Sequence, residues 1–365
     1  PVTEGMLAHV DPRAEWRQLL DDAWRLFRDY FYDPGMHGVD WEAAHREALA
    51  MLPSCAARSD LSFVIRDMIA ELNVSHARYV GPSDDQDGPG VGLLGADLEL
   101  DGGAYRVARV YRGAPWDPEL MSPLAEPGVD VTEGDYLLAV NGTPVDPALD
   151  PWAPLVGLEG CEVVLTIGAE PSLDGETRDV VVTTGDYGWS RRLRYRSWVE
   201  ANRRRVDEDS GGRVGYVHIP NYVPFGLNML IEQYFPQQGM DAVIVDQRFN
   251  GGGWTPHRFL EILNRPPIMV RARRHGRDRP VPSEAHFGPK CLLMNEFSGS
   301  SGDMFPWMFR HAGLGPLIGT RTWGGVVGLS GNPALVDGSR PVVPNNGTYS
   351  PDGEWIIEGW GVEPD

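Results

Sequence analysis

The sequence has 365 residues, of which 42% are hydrophobic, and a formal net charge of −20 at pH 7. That length predicts two or three domains, and the acid excess, with no long run of Lys or Arg, disfavours nucleic acid and anionic membranes as partners. Cys55, Cys161 and Cys291 lie far apart without a CxxC pair, so we expect no disulfide framework, no metal site and no cofactor. This cysteine usage fits a reducing cytoplasm. The chain also has no apolar run near about 18 residues and no basic-then-apolar leader.

Residues 1–82 are predicted to form a helical subdomain. EWRQLLDDAWRLFRDYFYD and LSFVIRDMIAEL place apolar side chains near the helical spacing of 3.6 residues. The polar stretch GPSDDQDGPG that follows is typical of a linker. A domain boundary is therefore expected there.

Residues 88–187 change to short strands between turn signals. VTEGDYLLAVNGTPV resembles the strand and tight turn of PDZ domains, and GLLGADLEL resembles their carboxylate-binding loop and first strand. PDZ domains bind an extended peptide at a sheet edge. A generic small antiparallel domain is the other interpretation, and the combination of loop, order and length favours the PDZ-like one.

Residues 191–365 alternate strands with helices, from RVGYVHIPNY to PKCLLMNEFSGSSGDMF. This order predicts a parallel sheet with crossover helices. Sites in such sheets lie at the carboxyl ends of the strands. Two motifs fall at such ends: the glycine loop, NGGG at residues 250–253, and the serine turn, SGSSG at residues 298–302.

The serine turn offers a nucleophile beside a helix N-terminus, whose unpaired N–H groups favour a developing negative charge. Pro306 predicts that the helix begins at about residue 302 or 303, because proline is tolerated in the first turn. Ser300 and Ser301 then lie on the turn, and Ser298 at the strand end. A cap without chemistry, made by Ser301 or Asp303, is the alternative interpretation.

The glycine loop can present a backbone N–H to an oxyanion at the same sheet edge. A phosphate-binding loop is the alternative, but neither GxxxxGK[ST] nor GxGxxG occurs here. A general base is also required, and the chain has nine histidines. His76 lies beside Ser75 where the helical subdomain ends; on spacing alone His257 and His286 are equally good candidates.

The order of the helical unit, the PDZ-like unit, VDQRFNGGGW, NEFSGSSGDMF, IGTRTWGGVVG and EWIIEGWGVEPD resembles the tricorn core protease and, more distantly, the tail-specific (C-terminal-processing) serine proteases. The resemblance covers nearly the whole chain. It implies a multi-domain α+β protein whose catalytic part is a crotonase/Clp-like α/β serine protease core.

The resemblance also implies the site residues. Ser300 is then the nucleophile, His76 its base, Ser75 the hydroxyl that orients His76, and Glu358 the acid that orients Ser75. The backbone N–H groups of Ser301 and Gly253 form the implied oxyanion hole.

Three features separate this sequence from the families that it resembles. Tail-specific proteases use a Ser-Lys dyad whose lysine falls at the position of Gly325, whereas the single lysine here, Lys290, lies outside that motif. An acidic residue often follows the nucleophile in the tricorn group, and here Ser301 stands there. Tricorn proteins also carry β-propellers before this region, which are missing here, so we expect either the C-terminal portion of a longer protein or a shortened relative with different substrate gating.

We therefore expect a serine endopeptidase that cleaves short peptides through an acyl-enzyme, acting with peptide-degradation partners as a homo-oligomer, a hexamer by resemblance. A catalytically silent PDZ-type peptide-binding scaffold is the alternative, and an acyl-CoA enzyme of the crotonase type ranks last. Residues 272–279, ARRHGRDR, either line a specificity pocket or form a solvated loop.

Overall fold

The computed structural model describes residues 9–82, 88–113 and 117–365. They form two compact units, one from Pro1–Asp84 with Val206–Asp365 and one from Asp85–Arg205. The predicted mixture of a helical N-terminal part, an antiparallel β unit and an α/β core is confirmed. The domain boundaries at 1–82, 88–187 and 191–365 stay a prediction.

The helical part of the first unit consists of α1 (Pro12–Tyr30), α2 (Trp41–Met51) and α3 (Arg58–Ala70). Asp11 caps α1 by accepting from two backbone N–H groups of its first turn. The apolar face predicted for α1, which includes Leu19, Trp24 and Phe27, is buried in the core shared by the three helices. Strand β1 (Arg78–Val80) follows and pairs antiparallel with β14 (Arg340–Val342), which brings the end of this part against the C-terminal region.

The α/β core of the same unit has a four-stranded parallel sheet in the order β13-β12-β9-β8. Its strands are β8 (Val214–His218), β9 (Ala242–Asp246), β12 (Lys290–Met294) and β13 (Leu317–Gly319). Helices α5 (Pro224–Tyr234), α6 (Pro256–Leu263) and α7 (Ser301–His311) connect them, and β10 (Met269–Arg271) with β11 (Arg279–Val281) forms an exposed hairpin. The glycine loop follows β9 and the serine turn follows β12, so the two motifs leave neighbouring strands at the same sheet edge.

Helix α7 begins at Ser301, one or two residues earlier than predicted, so Pro306 lies inside the helix. A proline there cannot donate to the carbonyl four residues earlier. That carbonyl, of Gly302, accepts instead from Gln247 Nε2 at 2.9 Å. A side chain from the neighbouring strand end thus replaces the missing hydrogen bond.

The second unit contains an antiparallel sheet in the order β2-β3-β4-β6-β7, with β5 paired to β4. The strands are β2 (Ala96–Asp101), β3 (Ala104–Val110), β4 (Tyr136–Val140), β5 (Thr143–Pro144), β6 (Glu162–Gly168) and β7 (Thr177–Thr183). Helix α4 (Tyr187–Ser210) follows β7. No helix among the described residues is both long and apolar enough to cross a membrane.

Candidate active site

Ser300 is held in a strained backbone conformation at the N-terminus of α7. Its φ of 59° and ψ of −120° lie outside the regions that non-glycine residues favour, at a cost of about 1–3 kcal/mol. Its N–H donates to Gly325 O at 3.0 Å, and its carbonyl accepts from Asp303 N at 2.8 Å. The surrounding structure therefore fixes a half-buried serine in the turn between strand and helix.

The glycine loop packs directly against Ser300. A Cβ placed on Gly252 would lie 2.7 Å from the Ser300 Cβ, and Gly252 has a φ of 82°. The Ser301 hydroxyl donates to Gly253 O at 2.7 Å and joins the turn to the loop. The glycines are thus required by the close approach of two backbones.

Two N–H groups of the glycine loop are hydrogen-bonded within the protein. Gly251 N donates to Pro220 O at 3.1 Å and Gly252 N to Asn250 Oδ1 at 2.8 Å. Within the described ranges, the N–H groups of Gly253 and Ser301 are bonded to no acceptor. These are the two donors that the resemblance implies for an oxyanion hole.

His76 follows α3 with a φ of 62° and lies 3.1 Å, through its Nδ1, from the Ser75 hydroxyl. Burial lowers the pKa of His76; the negative charge of Glu358 opposes that shift, and the positive charge of Arg78 adds to it. A lowered pKa keeps the imidazole neutral near pH 7, as a general base requires.

Glu358 contacts Ser75 through the main chain. Its Oε1 accepts from Ser75 N at 3.1 Å, whereas its Oε2 accepts from Val326 N at 2.6 Å and Val327 N at 2.9 Å. The carboxylate thus lies next to Ser75 and holds its backbone.

Residues 322–327, here called the central loop, contact both His76 and the serine turn. The Trp323 ring centroid lies 5.5 Å from that of His76, and a Cβ on Gly299 would lie 2.7 Å from Trp323 Cε3. The described hydrogen bonds do not include one between Ser300 Oγ and His76. Catalytic hydrogen bonds are often long before substrate binds.

Asp303 is a part of the site that the sequence interpretation assigned only as a cap. Its side chain is fully buried and accepts from Gly324 N at 2.7 Å and Gly325 N at 3.1 Å. Burial raises the pKa of Asp303, against hydrogen bonds that favour the charged form. The sequence signal was an acid in the first turn of the helix, which capping explains equally well.

The rival candidates make other contacts. His286 is buried with Nε2 2.9 Å from Met240 O, and His257 is exposed on α6. Lys290 begins β12, at the opposite end of the strand from the serine turn, and its Nζ donates to His286 O at 2.7 Å. Residues 272–279 lie in the exposed hairpin. Among the described residues no group of His, Cys, Asp and Glu is arranged to hold a metal.

Three family models match the chain in order. The tricorn protease C1 domain matches residues 12–70, the tricorn protease PDZ domain residues 92–185, and peptidase family S41 residues 213–365.

Similar whole proteins match along nearly all of the chain. Tricorn protease homolog 1 of Streptomyces coelicolor is 39% identical over 98% of this chain and 33% of its own length. Tricorn protease of Thermoplasma acidophilum is 35% identical over 96% of this chain and 32% of its own length. A crystal structure of the tricorn protease matches 98% of this chain with a TM-score of 0.88 and 34% identity, and 34% of that chain is covered. The chain therefore spans about a third of the length of these relatives.

Proposed function

We propose that this chain, which belongs to the tricorn proteases by its matches to their C1 and PDZ domains and to peptidase family S41, is a serine peptidase with Ser300 as nucleophile. His76 is the general base, Ser75 and Glu358 orient it, and the N–H groups of Ser301 and Gly253 form the oxyanion hole. This assignment combines the family resemblance with the contacts described above.

One observation carries the proposal: the close packing of Gly252 on Ser300. Gly253 follows Gly252 and Ser301 follows Ser300, so both N–H groups belong to residues next to this contact, and hydrogen bonds fix the strained backbone of the turn. A serine that only caps a helix accepts from its first-turn N–H groups. The Ser300 side chain makes no such capping bond.

The reaction has two balanced halves. His76 Nε2 takes the Ser300 hydroxyl proton as Oγ bonds to the peptide carbonyl carbon, and the resulting oxyanion accepts from the two N–H groups. The C–N bond then breaks, the imidazolium gives its proton to the leaving amine, and an acyl-enzyme forms. Water, deprotonated by His76, attacks the ester, and the proton returns to Ser300 as the acid product leaves.

The expected contributions of the parts are comparable. A general base contributes about 10²- to 10⁴-fold in rate, and each oxyanion donor about 10²- to 10³-fold. Neither contribution alone gives the rate of a peptidase. The contact between the glycine loop and the serine turn is therefore expected to contribute as much to kcat as the histidine.

The proposed substrates are short peptides. The proposed form is a cytoplasmic homo-oligomer, hexameric by resemblance, that acts with peptide-degradation partners. The support is the likeness, along 96–98% of this chain, to proteins named tricorn protease or tricorn protease homolog.

The alternative, a silent peptide-binding scaffold, requires an accessible edge at residues 92–96. In the second unit, Leu93 N donates to Gly185 O at 2.9 Å, and Ala96 O accepts from Arg194 Nη2 at 2.9 Å. A Cβ on Gly95 would lie 2.8 Å from Leu193 and 2.9 Å from Trp189. Helix α4 thus covers the edge that a bound peptide strand would use. This disfavours the peptide-binding alternative and favours a purely structural role for this unit.

The deciding experiment replaces Ser300 with Ala. We expect loss of fluorogenic-peptide hydrolysis and of labelling by a serine-directed fluorophosphonate, while Ser298→Ala retains both because the Ser298 hydroxyl is bonded to Gln247 O. Undiminished activity in Ser300→Ala would refute the proposal. His76→Ala should cost at least about 10²-fold, and His257→Ala and His286→Ala much less.

A further inference from the structure

Four consecutive N–H groups of the central loop are divided between two carboxylates. Gly324 N and Gly325 N donate to Asp303, and Val326 N and Val327 N donate to Glu358. Asp303 belongs to the helix that begins at the serine turn, and Glu358 contacts the residue before His76. The loop therefore lies between the two halves of the proposed catalytic device.

Asp303 is satisfied by neutral donors alone. Besides the two N–H groups, the Thr322 hydroxyl favours its charged form, and no salt bridge to it occurs in the described part of the chain. A buried charge without a counter-ion is costly unless hydrogen bonds and dipoles compensate it. Its position in the first turn of α7 adds the favourable end of the helix dipole.

The bonds of Asp303 act on both reacting side chains. Gly325, whose N–H it accepts, presents the carbonyl that binds Ser300 N. Trp323, between Thr322 and Gly324, lies against Gly299 and 5.5 Å from the His76 ring. The Asp303 backbone N–H in addition holds the Ser300 carbonyl at 2.8 Å.

We propose that Asp303 is a positioning residue for peptide hydrolysis: through the central loop it fixes the strained Ser300 turn relative to the Glu358-Ser75-His76 group. This inference rests on the proposed function and adds to it. Asp303 touches neither substrate nor the transferred proton, so its effect appears in the rate of the chemical step rather than in substrate binding.

The test is Asp303→Asn in the full chain. Asparagine keeps the volume and one acceptor but turns an NH₂ donor toward a backbone N–H. Displacement of a catalytic group by about 1 Å costs about 10²-fold, so we expect kcat per folded molecule to fall about that much with KM within about twofold. Fluorophosphonate labelling of Ser300 should slow by a similar factor.

Two matched pairs separate positioning from folding. Asp352→Asn, at an exposed site, should leave kcat unchanged. Thr322→Val removes the hydroxyl that favours the charged form of Asp303 and that accepts from Val362 N at 2.9 Å. Thr322→Ser keeps this hydroxyl, so only Thr322→Val should lower kcat, and the free energy of unfolding of the two variants measures the cost of the lost Val362 bond. If Asp303→Asn does not fold, the Thr322 pair decides.

Three outcomes overturn the inference: a folded Asp303→Asn with kcat within about twofold of the wild type, a rise in KM with kcat unchanged, or equal kcat in the two Thr322 variants. If Ser300→Ala abolishes activity and any of these occurs, only the role of Asp303 is wrong. If Ser300→Ala is active, the proposed function itself is wrong.

Discussion

The Glu358 carboxylate accepts from the backbone of Ser75, whose side chain contacts His76. Oε1 of Glu358 lies 3.1 Å from Ser75 N, and Ser75 Oγ lies 3.1 Å from His76 Nδ1. If His76 acts through Nε2, its Nδ1 is protonated and donates a hydrogen bond to the Ser75 oxygen. The Glu358 carboxylate, adjacent through the main chain, is then the nearby anion that stabilises the imidazolium.

Ser75→Ala and Glu358→Gln should therefore differ. Ser75→Ala keeps the backbone bond and loses one neutral hydrogen bond to the imidazole, for which we expect a fall in kcat of about 10-fold. Glu358→Gln replaces a charged acceptor of three N–H groups by a neutral group with one acceptor oxygen, for which we expect a fall in kcat of about 100-fold. Steady-state hydrolysis of a fluorogenic peptide measures both; a larger loss in Ser75→Ala would contradict this arrangement.

The acid limb of the pH profile should respond to Arg78. Its positive charge contributes to the lowered pKa of His76, after burial, which is the larger cause. Since the neutral imidazole is the active form, Arg78→Gln raises the His76 pKa and moves the acid limb of kcat/KM to higher pH. Arg66→Gln is the matched control, because Arg66 contacts Tyr79 O and not His76. A limb that stays in place, or moves to lower pH, would show that another group controls it.

The local patterns predicted the elements well for physical reasons. The 3.6-residue spacing in α1 and the apolar run before the glycine loop each follow from one buried face or one buried strand. The start of α7 was predicted from Pro306 alone, and it was wrong by one or two residues. Gln247, from a distant part of the sequence, supplies the missing donor, and nothing local indicates it.

The site was less accessible to sequence reasoning than the fold. The helix start predicted from Pro306 reduced the candidate nucleophiles from three serines to Ser300 and Ser301. Three histidines remained equivalent candidates for the base, because the partner of each is fixed by long-range packing. The family resemblance indicated His76 as the base and Glu358 as the acid, and both roles remain proposals. Asp303 was interpreted as a cap, since its bonds to the central loop join residues about 20 positions apart.

Gly252→Ala should abolish most activity. Its φ of 82° disfavours any side chain, and the added Cβ would lie 2.7 Å from that of Ser300, so the loop must move and the Gly253 donor with it. Loss of one oxyanion donor costs about 10²- to 10³-fold in kcat. Gly251→Ala is the control, because nothing lies within 4 Å of its Cβ position; equal kcat in the two variants would mean that the contact has no catalytic role.

Ser301 tests whether a side chain beside the nucleophile matters when its N–H is unchanged. Ser301→Ala keeps the oxyanion donor but loses the 2.7 Å bond to Gly253 O, which positions the second donor. We expect kcat to fall by about 10-fold, less than the loss of a donor, and the free energy of unfolding to fall by about 1 kcal/mol.

Ser298→Ala removes a bond of similar length from an equally buried serine, to Gln247 O at 2.9 Å. It should lower the free energy of unfolding by the same amount and leave kcat unchanged. Denaturant unfolding and steady-state kinetics on the two variants separate the contributions: if kcat falls equally in both, the Ser301 bond acts only on stability, and if kcat falls in Ser301→Ala alone, the hydroxyl holds the oxyanion hole in place.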